Sequence, residues 1–270
     1  MIELSDASVI YPNGQVALQG CSLAFLRGQF TVLLGSSGAG KSTLLHCLNL
    51  LVRPTRGTVR SEDFGVLQDR RSVRFHRLRT GMIFQQHHLL SRHSALQNVL
   101  MARLGYHHVW RTFFPLSGRE RRSALECLDR VGLLHKALER VENLSGGERQ
   151  RVGIARALAQ APRLILADEP VASLDPATAH KILGLLHRVC REDGITSVVS
   201  LHQVDLARTY ADRIIGLNQG QVVFDGPPDK LLAEAQSSLY SARPDDHRDP
   251  VAGNGPVLSP VPPFVPGSES

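Results

Sequence analysis

Apolar residues recur along the chain with two spacings, which predict strands and helices in alternation. Residues 2–26 alternate between apolar and polar positions on either side of the turn sequence YPNG, a pattern typical of paired strands. Short apolar runs predict buried strands at FTVLLG and at residues 81–84, 163–167, 195–201, 213–217 and 221–225. Helical periodicity fills the intervals, which predicts an α/β fold with a largely parallel sheet and an N-terminal antiparallel β subdomain.

Two stretches depart from this alternation. The strand signal is absent from about residue 87 to residue 143, where helical periodicity predicts an inserted helical subdomain that ends near residue 160. The last thirty residues contain seven of the fifteen prolines and cannot build a core. We therefore expect one domain over residues 1–240, with the helical insertion at about 87–160, and a Pro-rich disordered tail over residues 241–270.

Composition and charge narrow the range of partners. The longest apolar runs have the length of a strand, far below the ~20 residues that a membrane-spanning helix needs. The net charge is +6, but the basic residues are scattered apart from short clusters such as DRRSVRFHRLR, which an anionic lipid or a solvated helix face explains equally well. No nucleic-acid-binding module accompanies the charge, so we expect no nucleic-acid partner.

Cysteine usage indicates a reducing compartment. The four cysteines, at positions 21, 47, 127 and 190, show no CxxC pairing. We expect small buried thiols, and neither disulfides nor a zinc site.

The sequence GSSGAGKST follows the buried strand FTVLLG and opens a helical pattern. It fits GxxxxGK[ST], a loop in which glycines let backbone N–H groups surround a β-phosphate. Lys41 is expected to reach the β- and γ-phosphate oxygens, and the Ser42 hydroxyl to ligate Mg²⁺. The sequence therefore predicts that a nucleotide binds to Gly35, Ser36, Ser37, Gly38, Ala39, Gly40, Lys41, Ser42 and Thr43.

A pair of acids follows a second apolar run, in RLILADEP. Asp168 comes at the carboxyl end of the predicted strand, where α/β sheets bind their ligands, and an acid there can hold Mg²⁺ through water. Glu169 is then free to act as the general base on the attacking water. An acid pair that merely caps a loop is the alternative, and the upstream phosphate loop disfavours it.

A second anion-binding turn lies in LSGGERQRVGIARAL, residues 144–158. Ser145, Gly146 and Gly147 precede a helical pattern and offer free backbone N–H groups at a helix N-terminus. One nucleotide cannot occupy both turns of the same chain, which raises the question of what the second turn binds.

Several motifs follow one another along the chain: GSSGAGKST, FQQ, LSGGERQR, ILADEP, SLD and a lone histidine after a strand. This order resembles that of the ATP-binding subunit of ABC transporters, a P-loop NTPase, over residues 1 to about 235. The resemblance implies that Tyr11 stacks on adenine, that Gln85 senses Mg²⁺ and the attacking water, and that His202 touches the γ-phosphate. Packing of Tyr11 at a sheet edge and an ordinary core or surface role for His202 are the alternatives.

The resemblance also answers the question of the second turn. In ABC ATPases two copies face head to tail, so Ser145, Gly146, Gly147 and Asp175 of one copy are expected to contact ATP on the other. ATP then joins the dimer, and hydrolysis releases it.

A single compact unit with no coiled coil and no second ATPase unit differs from the ABC proteins of DNA repair and of translation. It resembles the subunit that docks on two membrane permease chains and works indirectly with a periplasmic solute-binding protein. The resemblance implies a peripheral position at the cytoplasmic face of the inner membrane. Docking is expected on residues 86–118, where Trp110 alternatively closes the small core of the helical subdomain.

Two stretches resemble the ATPase of phosphonate importers in particular. They are residues 81–116, which include RLGY and WRT, and residues 200–228, which include LHQVDLA. One departure is GERQR, where that subfamily often has GQQQR. Importers of phosphite, phosphate esters or polar amino acids and lipoprotein-releasing exporters are the alternatives.

Overall fold

The computed structural model describes residues 1–85, 88–104 and 117–232. The predicted docking segment therefore lies partly, and the predicted tail entirely, outside the described residues. The strands in chain order are β1 (Ile2–Ile10), β2 (Val16–Phe25), β3 (Phe30–Leu34), β4 (Arg56–Ser61), β5 (Gly65–Val66), β6 (Thr80–Ile83), β7 (Leu164–Ala167), β8 (Thr196–Ser200), β9 (Arg213–Asn218) and β10 (Gln221–Gly226). The helices are α1 (Lys41–Leu48), α2 (Arg70–Leu78), α3 (Ala95–Leu104), α4 (Gly118–Arg130), α5 (Gly146–Leu158), α6 (Pro176–Glu192) and α7 (Val204–Tyr210).

The strands form two sheets. The central sheet has the order β10-β9-β3-β8-β7-β6, and all its pairs are parallel except the β9–β10 hairpin. The second sheet, β2-β1-β4-β5, is antiparallel. The predicted α/β fold with a largely parallel sheet and an N-terminal antiparallel sheet is thus confirmed.

Strand β3 explains why the central sheet is covered on both faces. All five of its residues are buried, and they alternate between two cores. Phe30, Val32 and Leu34 face a core built with α3 to α7, whereas Leu33 faces a core built with α1, β1 and β2. Because successive side chains of a strand point to opposite faces, a continuous apolar run is what a strand between two helical layers requires.

Between residues 88 and 158 the described chain is helical. It contains α3, α4 and α5, short 3₁₀ helices at Leu134–Lys136 and Val141–Asn143, and one isolated bridge between Ser94 and Arg140. Helices α3 and α4 pack against α5, so this region is joined to the central sheet through the helix that begins at Gly146.

Strands β4 and β5 are absent from the sequence-based prediction, which gave the basic cluster of α2 only as a solvated helix face or a surface for anionic lipid. Strand β4 has the sequence RGTVRS and buries only Val59 and Ser61, so it lacks an apolar run. Helix α2 contains the basic cluster and begins at the N-cap Asp69. His76 bonds the carbonyl of Leu48 at 2.8 Å, and Arg77 donates to the carbonyl of Asn49 at 3.1 Å. Part of the basic cluster thus satisfies the last carbonyls of α1, which have no partner within their own helix.

The predicted small buried thiols are confirmed. Cys21, Cys47, Cys127 and Cys190 are all buried and unbridged. Burial raises the pKa of the Cys47 thiol to about 12 and that of Cys190 to about 11, so these thiols stay protonated and unreactive.

Candidate functional site

The phosphate loop connects the end of β3 to the start of α1 at the carboxyl edge of the central sheet. Gly35 and Gly40 have φ values of 153° and 103°. A Cβ atom at Gly35 would lie 2.3 Å from the carbonyl oxygen of Leu217, and one at Gly40 would lie 2.6 Å from that of Ala17. These two positions therefore require glycine, and they fix the path of the loop.

Lys41 lies at the start of α1 with only 4% of its surface exposed. Its Nζ donates to the carbonyl oxygens of Gly35 at 2.8 Å and Ser36 at 2.9 Å. Burial lowers the pKa of Lys41, and the nearby carboxylates of Glu169 and Asp168 partly oppose that shift. The ammonium group is thus held inside the loop, next to the surface where a phosphate would lie.

The loop and the acid pair meet at Asp168. This residue directly follows β7, and its Oδ1 accepts hydrogen bonds from the hydroxyl of Ser42 at 2.9 Å and from that of Ser200 at 2.8 Å. A hydroxyl and a carboxylate this close supply the hard oxygen ligands that Mg²⁺ prefers, and Mg²⁺ usually takes only one or two protein ligands beside water and phosphate. Within the described ranges no group of three or more His, Cys, Asp or Glu residues could hold a metal by itself.

Glu169 and His202 form the second contact of the site. The Nε2 atom of His202 is hydrogen-bonded to Oε1 of Glu169. Glu169 has a φ of 47°, in the left-handed region, and its N–H donates to the Ser200 hydroxyl at 2.8 Å. The turn after β7 therefore directs two consecutive carboxylates to different partners.

These groups line a cavity of about 340 Å³, the first cavity. Gly35, Ser36 and Asp168 are not among its lining residues, but the first two bond Lys41 and the third bonds Ser42. Tyr11 lies at the rim, half-buried, with its hydroxyl 3.1 Å from Oγ1 of Thr43. The predicted residues that line it are Tyr11, Ser37, Gly38, Ala39, Gly40, Lys41, Ser42, Thr43, Gln85, Glu169 and His202.

Ser145, Gly146, Gly147 and Asp175 line a different cavity of about 880 Å³, the second cavity, which shares no residue with the first. Ser145 is the N-cap of α5 and Asp175 is the N-cap of α6. Arg130, Arg151, Lys181 and Arg188 add positive charge to its walls. The structure thus brings the predicted residues together as two separate groups.

The N-terminus of α5 is closed by a reciprocal capping box. The backbone N–H and the hydroxyl of Ser145 both donate to Oε2 of Glu148 at 2.8 Å, and the other carboxylate oxygen lies 2.8 Å from Nζ of Lys136. These contacts, the Lys136 hydrogen bond first, lower the pKa of Glu148 to about 2. Glu148 is one of the two positions at which the sequence departs from GQQQR, the other being Arg149, and it stays ionised.

Sequence reasoning missed Ser200, which touches both members of the acid pair. The available signal was a hydroxyl at the carboxyl end of a buried strand, two residues before His202. That position meets Asp168 only because β8 lies beside β7 in the sheet, and the order of the strands is not readable from the sequence alone.

The family model described as "ABC transporter" matches residues 18–172. The chain belongs to the ABC transporter family. This ABC cassette is 57% identical over 254 residues to the phosphonates import ATP-binding protein PhnC 3 of Nostoc sp., covering 94% of this chain and 97% of the relative. It is 56% identical over 243 residues to the phosphite import ATP-binding protein PxtA of Stutzerimonas stutzeri, covering 90% and 88%.

Solved structures agree with this assignment. A dimeric ATP-binding cassette in a post-hydrolysis state, bound to ADP and Pi, matches with a TM-score of 0.74 and 36% identity over 84% of this ABC cassette and 99% of that chain. The predicted resemblance and the P-loop NTPase fold are confirmed. Among the described residues no helix is both long enough and apolar enough to cross a bilayer.

Proposed function

We propose that this chain is the ATP-binding subunit of an ABC importer and hydrolyses ATP in a head-to-tail dimer to drive phosphonate uptake. One observation carries the ATPase assignment: beside the phosphate loop, Ser42 is hydrogen-bonded to Asp168 and His202 is hydrogen-bonded to Glu169. The phosphonate assignment rests on the sequence stretches that resemble phosphonate importers and on the phosphonates import relative named above.

The first cavity is proposed to bind ATP within one chain. Tyr11 would stack on adenine, and the loop N–H groups and Lys41 would hold the phosphates. Ser42, Asp168 and Gln85 would ligate Mg²⁺, directly or through water. Bound Mg²⁺ would neutralise charge on the β- and γ-phosphate oxygens.

Glu169 is proposed to take the proton from the attacking water, which requires a carboxylate within hydrogen-bond reach of that water. The Nε2 atom of His202 is bonded to one oxygen of Glu169, so His202 would orient this carboxylate beside the γ-phosphate. Gln85, at the rim of the same cavity, would position the water.

The second cavity is proposed to complete the site of the partner copy. Ser145, Gly146, Gly147 and Asp175 are separate from the first cavity in one chain, so they would reach a nucleotide only in a second copy. Inverting the equilibrium between an open and a closed dimer takes ~5.5 kcal/mol. The two γ-phosphates would supply it through several charge-assisted hydrogen bonds, each worth ~1.5–3 kcal/mol.

The importer would be assembled from two such subunits and two membrane permease subunits, with a periplasmic solute-binding protein acting indirectly. We place this subunit on the cytoplasmic face of the inner membrane, as a peripheral protein. Residues 1–240 are proposed as the ATPase domain with the helical subdomain at about 87–160, and residues 241–270 as a Pro-rich tail.

Permease docking is proposed on the helical region, close to Gln85. Trp110 lies outside the described residues, but a groove of about 620 Å³ is formed by α3, α4 and the turn that follows Lys136. Leu138 in this groove is 75% exposed, and Arg92, Arg121 and Arg140 border it. A permease segment with an apolar anchor and acidic flanks would match this surface.

Growth of a deletion strain tests the transported solute. The strain should fail to grow with a phosphonate as its only phosphorus source and should grow on phosphate. The wild-type gene should restore growth, and Glu169→Gln, which keeps the side-chain shape but removes the base, should not.

Phosphite is the second candidate, because the phosphite import relative is almost as similar to this chain as the phosphonate import relative. Loss of growth on phosphite alone would favour it. Failure to take up a polar amino acid, or envelope defects on every phosphorus source, would point to the remaining alternatives. Normal phosphonate growth in a strain without a second importer would contradict the proposal and leave the ATPase assignment intact.

A further inference from the structure

Ser200 ends β8 at the carboxyl edge of the central sheet and is completely buried. Strand β8 pairs in parallel with β7, and Val199 lies opposite Ala167. Ser200 is therefore beside the residue that follows β7, which is Asp168. This register places a hydroxyl between the two strand ends that carry the acid pair and His202.

The Ser200 hydroxyl is used twice. Its hydrogen is donated to Oδ1 of Asp168 at 2.8 Å, and its oxygen accepts the backbone N–H of Glu169 at 2.8 Å. Because a serine hydroxyl has one hydrogen to donate, the bond to Asp168 uses its donor and the bond from Glu169 uses its acceptor. One side chain thus fixes a carboxylate and the backbone of the next residue at the same time.

The backbone bond matters because of the conformation of Glu169. Its φ of 47° lies in the left-handed region, which residues with a Cβ adopt at a cost and hold only when their surroundings enforce it. The Ser200 oxygen receives the N–H that this turn directs toward β8. The same turn sends the Glu169 side chain to His202.

Ser200 also has a different role from Ser42, which donates to the same oxygen of Asp168. Ser42 belongs to the phosphate loop and is a proposed Mg²⁺ ligand, whereas Ser200 is buried behind the acid pair and does not line the first cavity. It can orient Asp168 and Glu169 without contacting the nucleotide.

We propose that Ser200 is a positioning residue for ATP hydrolysis, which holds Asp168 toward the phosphate loop and fixes the turn that aims Glu169. This inference rests on the proposed function, because it acts through the proposed base. It predicts a loss chiefly in kcat, since Ser200 bonds Asp168 and Glu169 rather than Lys41 or the backbone of the phosphate loop, which hold the nucleotide.

The test compares Ser200→Ala with Ser197→Ala in the full-length chain. Ser197 is equally buried on the same strand, and its hydroxyl bonds the carbonyl of Ile195 at 3.4 Å and the thiol of Cys190, neither of which belongs to the acid pair. Ser200→Ala should lower kcat by about 10- to 100-fold, the size expected for a misplaced catalytic group, with little change in KM for ATP. Ser197→Ala should stay near wild type, and Ser200→Thr, which keeps the hydroxyl, should retain most of the activity.

A double variant tests whether Ser200 acts through Glu169 or only through the stability of the fold. Because Ser200 acts partly through Glu169, the loss that Ser200→Ala adds to Glu169→Gln in single-turnover hydrolysis should be smaller than the loss it causes in the wild-type background. Equal kcat for Ser200→Ala and Ser197→Ala would overturn the inference, as would a full additional loss in the double variant.

The two failures are distinguishable. Wild-type protein without ATPase activity, or Glu169→Gln at the wild-type rate, would overturn the proposed function and this inference with it. An active wild type, an impaired Glu169→Gln and an unimpaired Ser200→Ala would overturn the inference alone.

Discussion

At the residue scale, the proposed role of Lys41 in binding phosphate requires its Nζ to exchange hydrogen-bond partners. Its Nζ is bonded to two carbonyl oxygens of its own loop, and the buried ammonium has no other described hydrogen-bond acceptor. Phosphate oxygens carry full negative charge and form stronger hydrogen bonds than carbonyls do. Nucleotide binding is therefore expected to draw Lys41 toward the phosphates without any movement of α1.

We expect Lys41→Ala to weaken ATP binding by about 10- to 100-fold, because one or more charge-assisted bonds of ~1.5–3 kcal/mol are lost. Equilibrium titration with a fluorescent ATP analogue measures this change. Lys230→Ala, at an exposed lysine far along the chain, is the matched control and should bind as wild type does. Equal affinity of the two variants would refute the assigned role of Lys41.

The residues of the site were predictable to different degrees. The phosphate loop, Asp168 and Glu169 are encoded by local spacing, since a glycine loop and an acid pair each follow an apolar strand. Ser200 depends on which strands are neighbours, and the Lys136–Glu148 contact depends on a 3₁₀ helix meeting α5. Contacts of this second kind arise from tertiary packing, and no periodicity along the chain records them.

At the element scale, the N-terminus of α5 combines a capping box with an ion pair. Glu148 closes the box with Ser145, and Lys136 ties the same carboxylate to the preceding 3₁₀ helix. The carboxylate is also favoured by the positive end of the helix. These contacts stabilise the ionised form of Glu148, so they should weaken in acid.

Glu148→Gln keeps an acceptor for the capping box but removes the charge that pairs with Lys136 and with the helix N-terminus, so it should lower the free energy of unfolding at neutral pH by ~0.5–2 kcal/mol. The pKa of Glu148 falls from 4.5 to about 2 on folding, so its contribution is complete above pH 4.5 and is lost as the pH falls toward 2. Urea unfolding of both proteins across this range should show their difference shrinking. Glu126→Gln, on the exposed side of α4, serves as the control, and a pH-independent difference for Glu148→Gln would contradict the assignment.

Strands and helices could be predicted from the sequence where their burial requires a run of apolar residues. Strands β3 and β7 are buried throughout and appear as apolar runs. Strand β4 lies in a sheet with one face against the core, and α2 is held by its cap and by contacts to the end of α1, so neither has an apolar run to reveal it.

At the scale of the whole molecule, the groove around Leu138 allows the proposed permease docking to be tested separately from ATP hydrolysis. Leu138→Asp places a charge at the apolar centre of the proposed docking surface, where unpaired charges are strongly unfavourable. Transport should fall severely, while ATPase activity of the free subunit and its melting temperature stay near wild type. Leu26→Asp, at another exposed leucine, is the control and should transport normally. Normal transport by Leu138→Asp would exclude this groove as the docking surface.

The separation of the two cavities within one chain has a consequence for mixtures of damaged proteins. A Lys41→Ala chain keeps an intact second cavity, and a Ser145→Arg chain keeps an intact first cavity. Each preparation alone should be inactive, because every composite site in its homodimer contains a damaged half. Random pairing after mixing should restore about a quarter of the sites, since half the dimers are mixed and each contains one complete site. The two substitutions would then complement each other, as mutations in two different genes do, although both lie in the same protein.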